Sequence, residues 1–150
     1  FDQSKGRMTS FEFKGKEFLL DGNGPKPNFW RPVTDNDFGN KMQVKNIEWK
    51  KASLFAKVKS MDAKKLQNGA IVVNMVYDLP GVETSFETSY LIYGNGVIQV
   101  KNVLNKSNYK GDIPRVGMRM QIPKQYENIT YFGRGPWENY QDRKASAFID

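Results

Sequence analysis

The chain of 150 residues contains no cysteine and no histidine. Without thiols there is no disulfide framework, no zinc–thiolate centre and no cysteine nucleophile. Without imidazole the commonest general base, every His-dependent triad and the usual transition-metal ligand are excluded as well. Acid–base chemistry would fall to Asp, Glu, Lys or Tyr. Arginine is scarce: six against seventeen lysines, in a chain of net charge +7. Phosphate and base readout favours the bidentate guanidinium fork, so this balance argues against a nucleic-acid partner and for a solvated lysine-rich face. The excess is uneven, with fourteen basic and eight acidic residues in positions 1–75 and nine against eight in the remainder. No apolar run approaches the length of a membrane span, so no membrane partner is expected. No repeat, low-complexity tract or linker is visible either, and the length suits one domain over 1–150 with no internal boundary.

What is present is strand periodicity. Ile71, Val73, Met75, Tyr77 and Leu79 fall on one side of a period-two run, and Pro80-Gly81 supplies a turn. Thr84, Phe86, Thr88, Tyr90 and Ile92 then repeat the pattern opposite Glu83, Ser85, Glu87 and Ser89. Gly94-Asn95-Gly96 leads into 97–104, where blurred alternation at Lys101-Asn102 suggests a bulge. A strand through Val116, Met118, Met120 and Ile122 stops at Pro123, Lys14-Gly15 joins 7–13 to 16–20 as a hairpin, and Leu54, Ala56 and Val58 mark another strand. The stretch 40–51 lacks Gly and Pro and predicts the one short surface helix. Seven or eight strands with Gly-rich turns predict an all-β fold, an antiparallel β-sandwich.

Two segments carry more than periodicity. The first is Asn28-Phe29-Trp30-Arg31-Pro32-Val33-Thr34-Asp35-Asn36-Asp37-Phe38-Gly39. Pro32 biases Arg31 to extended backbone, and Asp35, Asn36 and Asp37 favour side-chain turns. The segment therefore reads as a shaped loop anchored in the core by Phe29 and Trp30, with Arg31 paired to Asp35 or Asp37. The alternative, that the Asp pair binds sugar, metal or a catalytic proton, meets two objections. Catalytic carboxylates of a glycosidase stand about 5 Å or more apart across a substrate, and the oxygen-ligand run of a calcium loop is missing.

The second segment is Gly133-Arg134-Gly135-Pro136-Trp137-Glu138-Asn139-Tyr140-Gln141-Asp142-Arg143. Gly133 and Gly135 permit positive φ or close backbone approach. Two readings stay open: an internal tie between sheets, with Arg143 satisfying Glu138 or Asp142, and a sugar-stacking platform of Trp137 and Tyr140 with Glu138 supplying hydrogen bonds. Glu83 and Glu87, read as lying on one strand face, would stand about 13 Å apart, too wide for either glycosidase geometry. No residue is assigned a catalytic or metal-binding role.

Both segments resemble, in order and at about the right spacing, signature segments of the C-terminal β-sandwich (small-chain-like) domain of bacterial β-galactosidases of glycoside hydrolase family 2. There they usually read N-F-W-R-x-P-T-D-N-D-x-G and G-x-G-P-x-E-N-Y-x-D-R, and position 137 is not fixed. The resemblance implies a supersandwich-like domain of which this chain is the first part. The chain begins Phe1-Asp2-Gln3 rather than with Met and stops at Asp150, where the family's sandwich is about half complete. A piece of a longer polypeptide is therefore expected, with apolar inner-face residues around 116–122 left uncovered and a tendency to form homo-oligomers.

The resemblance further implies a parent enzyme that hydrolyses terminal β-galactosides with retention, through two Glu of a preceding barrel that this chain lacks. This chain would be non-catalytic, supporting the barrel and bordering its active site through Gly39, Asn40 and Lys41. Its partners would be the preceding domains and the parent's β-galactoside substrate. Mg and Na, where the family uses them, would bind in the barrel region, leaving no cofactor in this chain. Bacterial cytoplasm and periplasm fit equally. Two other readings remain: a stand-alone carbohydrate-binding β-sandwich and a purely structural interaction domain.

Overall fold

A computed structural model describes residues 1–135 and Ala145. The chain enters through a short hairpin in which β1 (Glu12–Phe13) pairs with β2 (Lys16–Glu17), Phe13 opposite Lys16. Lys14 and Gly15 both adopt left-handed φ, 52° and 72°, the two-residue turn geometry whose twist matches flanking strands. The ladder is much shorter than the hairpin expected over 7–20. Beyond it the Glu17 carboxylate takes over, accepting the N–H of Phe11 at 2.9 Å and of Leu19 at 2.8 Å.

After β3 (Lys26–Asn28) come three short helices, α1 (Asp35–Gly39), α2 (Met42–Lys45) and α3 (Ile47–Phe55). The single surface helix expected over 40–51 is thus corrected. The chain breaks at Asn46, whose ψ of 19° ends α2, and α3 runs on to take Leu54 out of the strand expected at 54–58. Burial explains the difference: Trp49 and Ala52 of α3 are 1% and 0% exposed, so this helix is a packed element of the core.

The centre of the fold is the antiparallel meander β4 (Lys57–Lys65), β5 (Ile71–Leu79), β6 (Thr84–Ile92) and β7 (Ile98–Leu104). Val73, Met75, Tyr77 and Leu79 of β5 and Thr84, Phe86, Thr88 and Tyr90 of β6 are buried on one face. The other face carries Asp62 and Asn74, whose amide donates to the carboxylate at 3.1 Å, and Glu87. That alternation is what a half-solvated antiparallel sheet demands. Exposed Lys57, Lys59, Lys64 and Lys65 line the free-edge strand β4, where charge discourages pairing with a foreign strand.

The bulge expected at Lys101-Asn102 is absent: β6 and β7 pair without a break from Phe86 opposite Leu104 to Ile92 opposite Ile98. The alternation blurs there because five consecutive β7 residues are exposed, so neither face selects apolar side chains. The irregularity lies instead in β4, between Val58 and Ser60.

Phe29, one residue past β3, bridges the layers. Its ring lies 5.5 Å from that of Trp49 and 5.3 Å, edge-on, from that of Phe86. Burial of such a side chain contributes about 1.5–3 kcal/mol. The hydroxyl of Tyr77 donates to the carbonyl of Gly6 at 2.8 Å, tying the N-terminal segment to β5, and burial pushes its phenol up to about 12.

The strand expected over 116–122 shortens to β8 (Gly117–Arg119), antiparallel to β3. Beyond it the Gln121 N–H donates to Asn23 and the Gln121 carbonyl accepts from Leu20. Val116 and Met120 are more than half exposed. The fold is all-β, antiparallel and sandwich-like, with eight strands and three short helices among the described residues.

Candidate functional site

The first motif folds as a clasp. Its entry is fixed by backbone: the N–H of Phe29 donates to Ser53 Oγ at 2.7 Å, and that hydroxyl donates to the carbonyl of Trp49 at 2.9 Å. Trp30 is only half-buried and does not join the core as expected; Lys50 Nζ stands 5.9 Å from the centre of its ring. Arg31 then reaches forward. Its Nη1 and Nη2 donate to the two oxygens of Asp37 at 2.5 and 2.8 Å, while Nε donates to the carbonyl of Pro114 at 3.3 Å. This is the bidentate, charge-assisted arrangement for which guanidinium is suited.

Asp37 does further work at the start of α1. Its carboxylate accepts the Thr34 N–H at 2.9 Å, and the Thr34 hydroxyl accepts the Asp37 N–H, closing a capping box. The Arg31 bonds, followed by the Thr34 N–H, hold the Asp37 carboxyl below its ordinary range. The loop expected from Asp35, Asn36 and Asp37 is therefore a helical turn. Asp35 and Asn36 sit exposed in its first turn, where Asp35 favours the helix N-terminus. The Thr34-x-x-Asp37 spacing is the signal that sequence reading passed over.

Gly39, the last residue of α1, forms with Asn40 and Lys41 the exposed corner that leads into α2. Asn40 Oδ1 accepts from Lys45 Nζ at 3.0 Å, and Lys41 holds a left-handed φ of 57°. Met42, buried just beyond, pins the far side. Phe38 and Val44 flank the corner at 54% and 68% exposure, two apolar side chains that sequence reading did not single out. Gly39 has no left-handed φ, and a Cβ built there meets nothing within 4 Å.

The second motif is described only as far as Gly135. A Cβ on Gly135 would overlap the hydroxyl of Tyr131, so that glycine allows a close approach, whereas one on Gly133 would make ordinary contact with the same ring. Trp137, Glu138, Tyr140, Asp142 and Arg143 lie outside the described residues.

The structure separates Glu83 from Glu87: Glu83 takes a left-handed φ of 48° in the turn before β6, and Glu87, within the strand, accepts from the Asn105 amide at 2.8 Å. Among the described residues no group of three Asp or Glu is placed to hold a metal ion, and no helix is long and apolar enough to cross a membrane.

Comparison with known proteins agrees with the motifs. The family model described as β-galactosidase small chain matches residues 1–150. A β-galactosidase of Priestia megaterium is 35% identical over 147 residues, which cover 98% of this chain and 14% of that protein. One from Clostridium acetobutylicum is 31% identical over 153 residues, covering 98% and 16%, and one from Kluyveromyces lactis is 31% identical over 154, covering 97% and 15%. The chain thus spans about 14–16% of the length of these relatives. With the first signature segment folded as one braced unit and the family match running through both segments, the chain belongs to the β-galactosidase small-chain family.

Proposed function

We propose that this chain is a non-catalytic part of a β-galactosidase polypeptide that hydrolyses terminal β-galactosides, and that it borders the active site of a preceding barrel through Gly39, Asn40 and Lys41. The observation that carries the reading is the corner itself. Nothing in the surrounding fold requires glycine at 39, yet the Arg31–Asp37 clasp and buried Met42 hold that position out to solvent from both sides. A braced, open position is suited to meeting something outside the chain. Asn40 offers an amide donor and acceptor, Lys41 an ammonium, and neighbouring Phe38 an apolar ring, the mixture that sugar hydroxyls and C–H faces call for.

In this reading the chemistry belongs to two Glu of the barrel, as do Mg and Na where the family employs them. Among the described residues the carboxylates whose acidity is shifted, Asp2, Glu17 and Asp37, are all moved downward, away from what a general acid needs. The partners are the preceding domains of the same polypeptide. In the full polypeptide, Asn40→Ala and Lys41→Ala are expected to raise KM for a chromogenic β-galactoside at unchanged melting temperature, and the 150-residue chain alone to turn over none. Unchanged KM in both variants would contradict the reading. So would turnover by the isolated chain that disappears when one of its own carboxylates is replaced.

A further inference from the structure

The ribbon of β3 and β8 places like charges directly opposite each other, Lys26 being the register partner of Arg119. Such a cross-strand pair is unfavourable by itself. Three adjoining depressions of ≈ 260, 390 and 440 Å³ surround it. Arg7 and Lys26 line the first and second, Arg119 the second and third, and Ser53 and Leu54 the first and third, so the walls are continuous. Lys5, Lys50 and Arg115 complete the cationic lining. Arg31 also reaches it, but its guanidinium is already occupied by Asp37.

Among the described residues no Asp or Glu lines any of the three depressions, and none of the six other cations forms an ion pair. Asp2 is taken by the Ser4 hydroxyl and the Lys5 N–H. The unbalanced charge leaves traces. Partial burial first, then Arg119 and Arg7, push the Lys26 ammonium below its ordinary value, and Nε of Arg7 is buried without a hydrogen-bond partner. Gly117 leaves room for the Arg115 side chain beside it, since a Cβ there would come within 3.1 Å of its Nε. Of only six arginines in the chain, four (Arg7, Arg31, Arg115 and Arg119) converge here. Guanidinium concentrated in this way matches planar carboxylates, which it binds through paired N–H donors.

We propose that this depression seats an Asp- or Glu-bearing segment from elsewhere in the same polypeptide, docked across Lys26 and Arg119 between Arg7 and Arg115. The proposal rests on the reading that the chain is one part of a longer β-galactosidase. The relatives, of which the chain spans 14–16%, have ample further sequence to supply such a segment. Half-buried Trp30 and 55%-exposed Leu54 at the margin give apolar contact to the residues flanking its carboxylates. Three connected depressions also exceed the footprint of a single small anion.

The test is zero-length carbodiimide coupling of the full polypeptide, which joins an amine to a carboxylate already in contact with it. The expected product, of monomer size, carries an amide between Lys26, Lys5 or Lys50 and an Asp or Glu outside residues 1–150; its yield falls in high salt and is lost in Arg119→Glu. Links confined to carboxylates within the chain, links to a second copy in a dimer-sized product, or no links at these lysines would each overturn the proposal. Stabilisation by inorganic phosphate that Arg119→Glu abolishes, with no link formed, would overturn it in favour of a small-anion site. β-Galactoside turnover by the same preparation, measured before carbodiimide is added because the reagent also attacks catalytic carboxylates, reads the parent activity separately. An active enzyme without the link defeats the docking alone, and a linked but inactive polypeptide defeats the functional reading alone.

Discussion

Replacing Phe29 by alanine removes the ring through which the first motif is fastened to the sheet. That ring is 0% exposed and touches Trp49 on one side and Phe86 on the other, so truncation removes its burial and leaves a cavity between two rigid aromatic neighbours. Phe→Ala in such a setting costs about 3–5 kcal/mol, against a total stability of roughly 5–15 kcal/mol for a domain. At about 2–4 °C per kcal/mol for a chain near this size, the melting temperature falls by about 6–20 °C. The backbone tie from Phe29 N–H to Ser53 survives the substitution, so the loss reports the side chain alone. Phe38→Ala, nine positions along and 54% exposed, is the matched control and stays within about 0.5 kcal/mol. Calorimetry on both variants decides the matter. Phe29→Ala melting within about 2 °C of the parent, or Phe38→Ala falling equally far, would refute the anchoring role.

The Arg31–Asp37 clasp carries a pH signature. Because the folded carboxyl is held below its ordinary value of 3.8, its stabilisation is present above that value and is lost as pH falls through the depressed one. The melting difference between the parent and Asp37→Asn should be constant at neutral pH and close at strongly acidic pH; a constant gap throughout would show that Asp37 is not the titrating partner. Gly24→Ala would press a methyl into the Met8 carbonyl oxygen and is expected to destabilise markedly, whereas Gly69→Ala, whose methyl meets nothing within 4 Å, costs only its left-handed φ of 82°; paired melts check the order. Exposed Val116, Met120, Ile129 and Phe132 predict self-association of the isolated chain, weakened by Val116→Lys with Met120→Lys; light scattering showing a monomer at high concentration would contradict this.

The strands that were legible in the sequence are those whose two faces differ. In β5 and β6 burial follows the two-residue period residue by residue, so Val73 to Leu79 and Thr84 to Tyr90 announce both the strand and its inward side. β7 has no such contrast, and the apparent bulge was only the loss of it. β3 was hidden for another reason: it is three residues long with Pro27 at its centre, a residue that cannot donate to a ladder, and its partner β8 lies some ninety positions on. The helices read from sequence as one because Met42 and Trp49, both buried, are seven apart, while the break at Asn46 depends on packing that no local pattern encodes. In the clasp, the pairing of Arg31 with an Asp was readable from a short segment, but the choice of Asp37 over Asp35 required the helical turn of α1. The cationic depression was not legible, since Arg7, Lys26 and Arg119 meet only through tertiary folding.

The most direct test of the account is Gly39→Ala in the full polypeptide that we propose to be a β-galactosidase. The position is open and its φ is not left-handed, so the fold accepts a methyl there and the melting temperature should not fall. If the corner borders the active site, that methyl meets substrate or the barrel wall. KM for a chromogenic β-galactoside then rises by a factor of roughly 10–200, the range for one methyl group in a fitted site at about 1–3 kcal/mol. A stable variant with unchanged kcat and KM would contradict the claim that Gly39, Asn40 and Lys41 reach the chemistry.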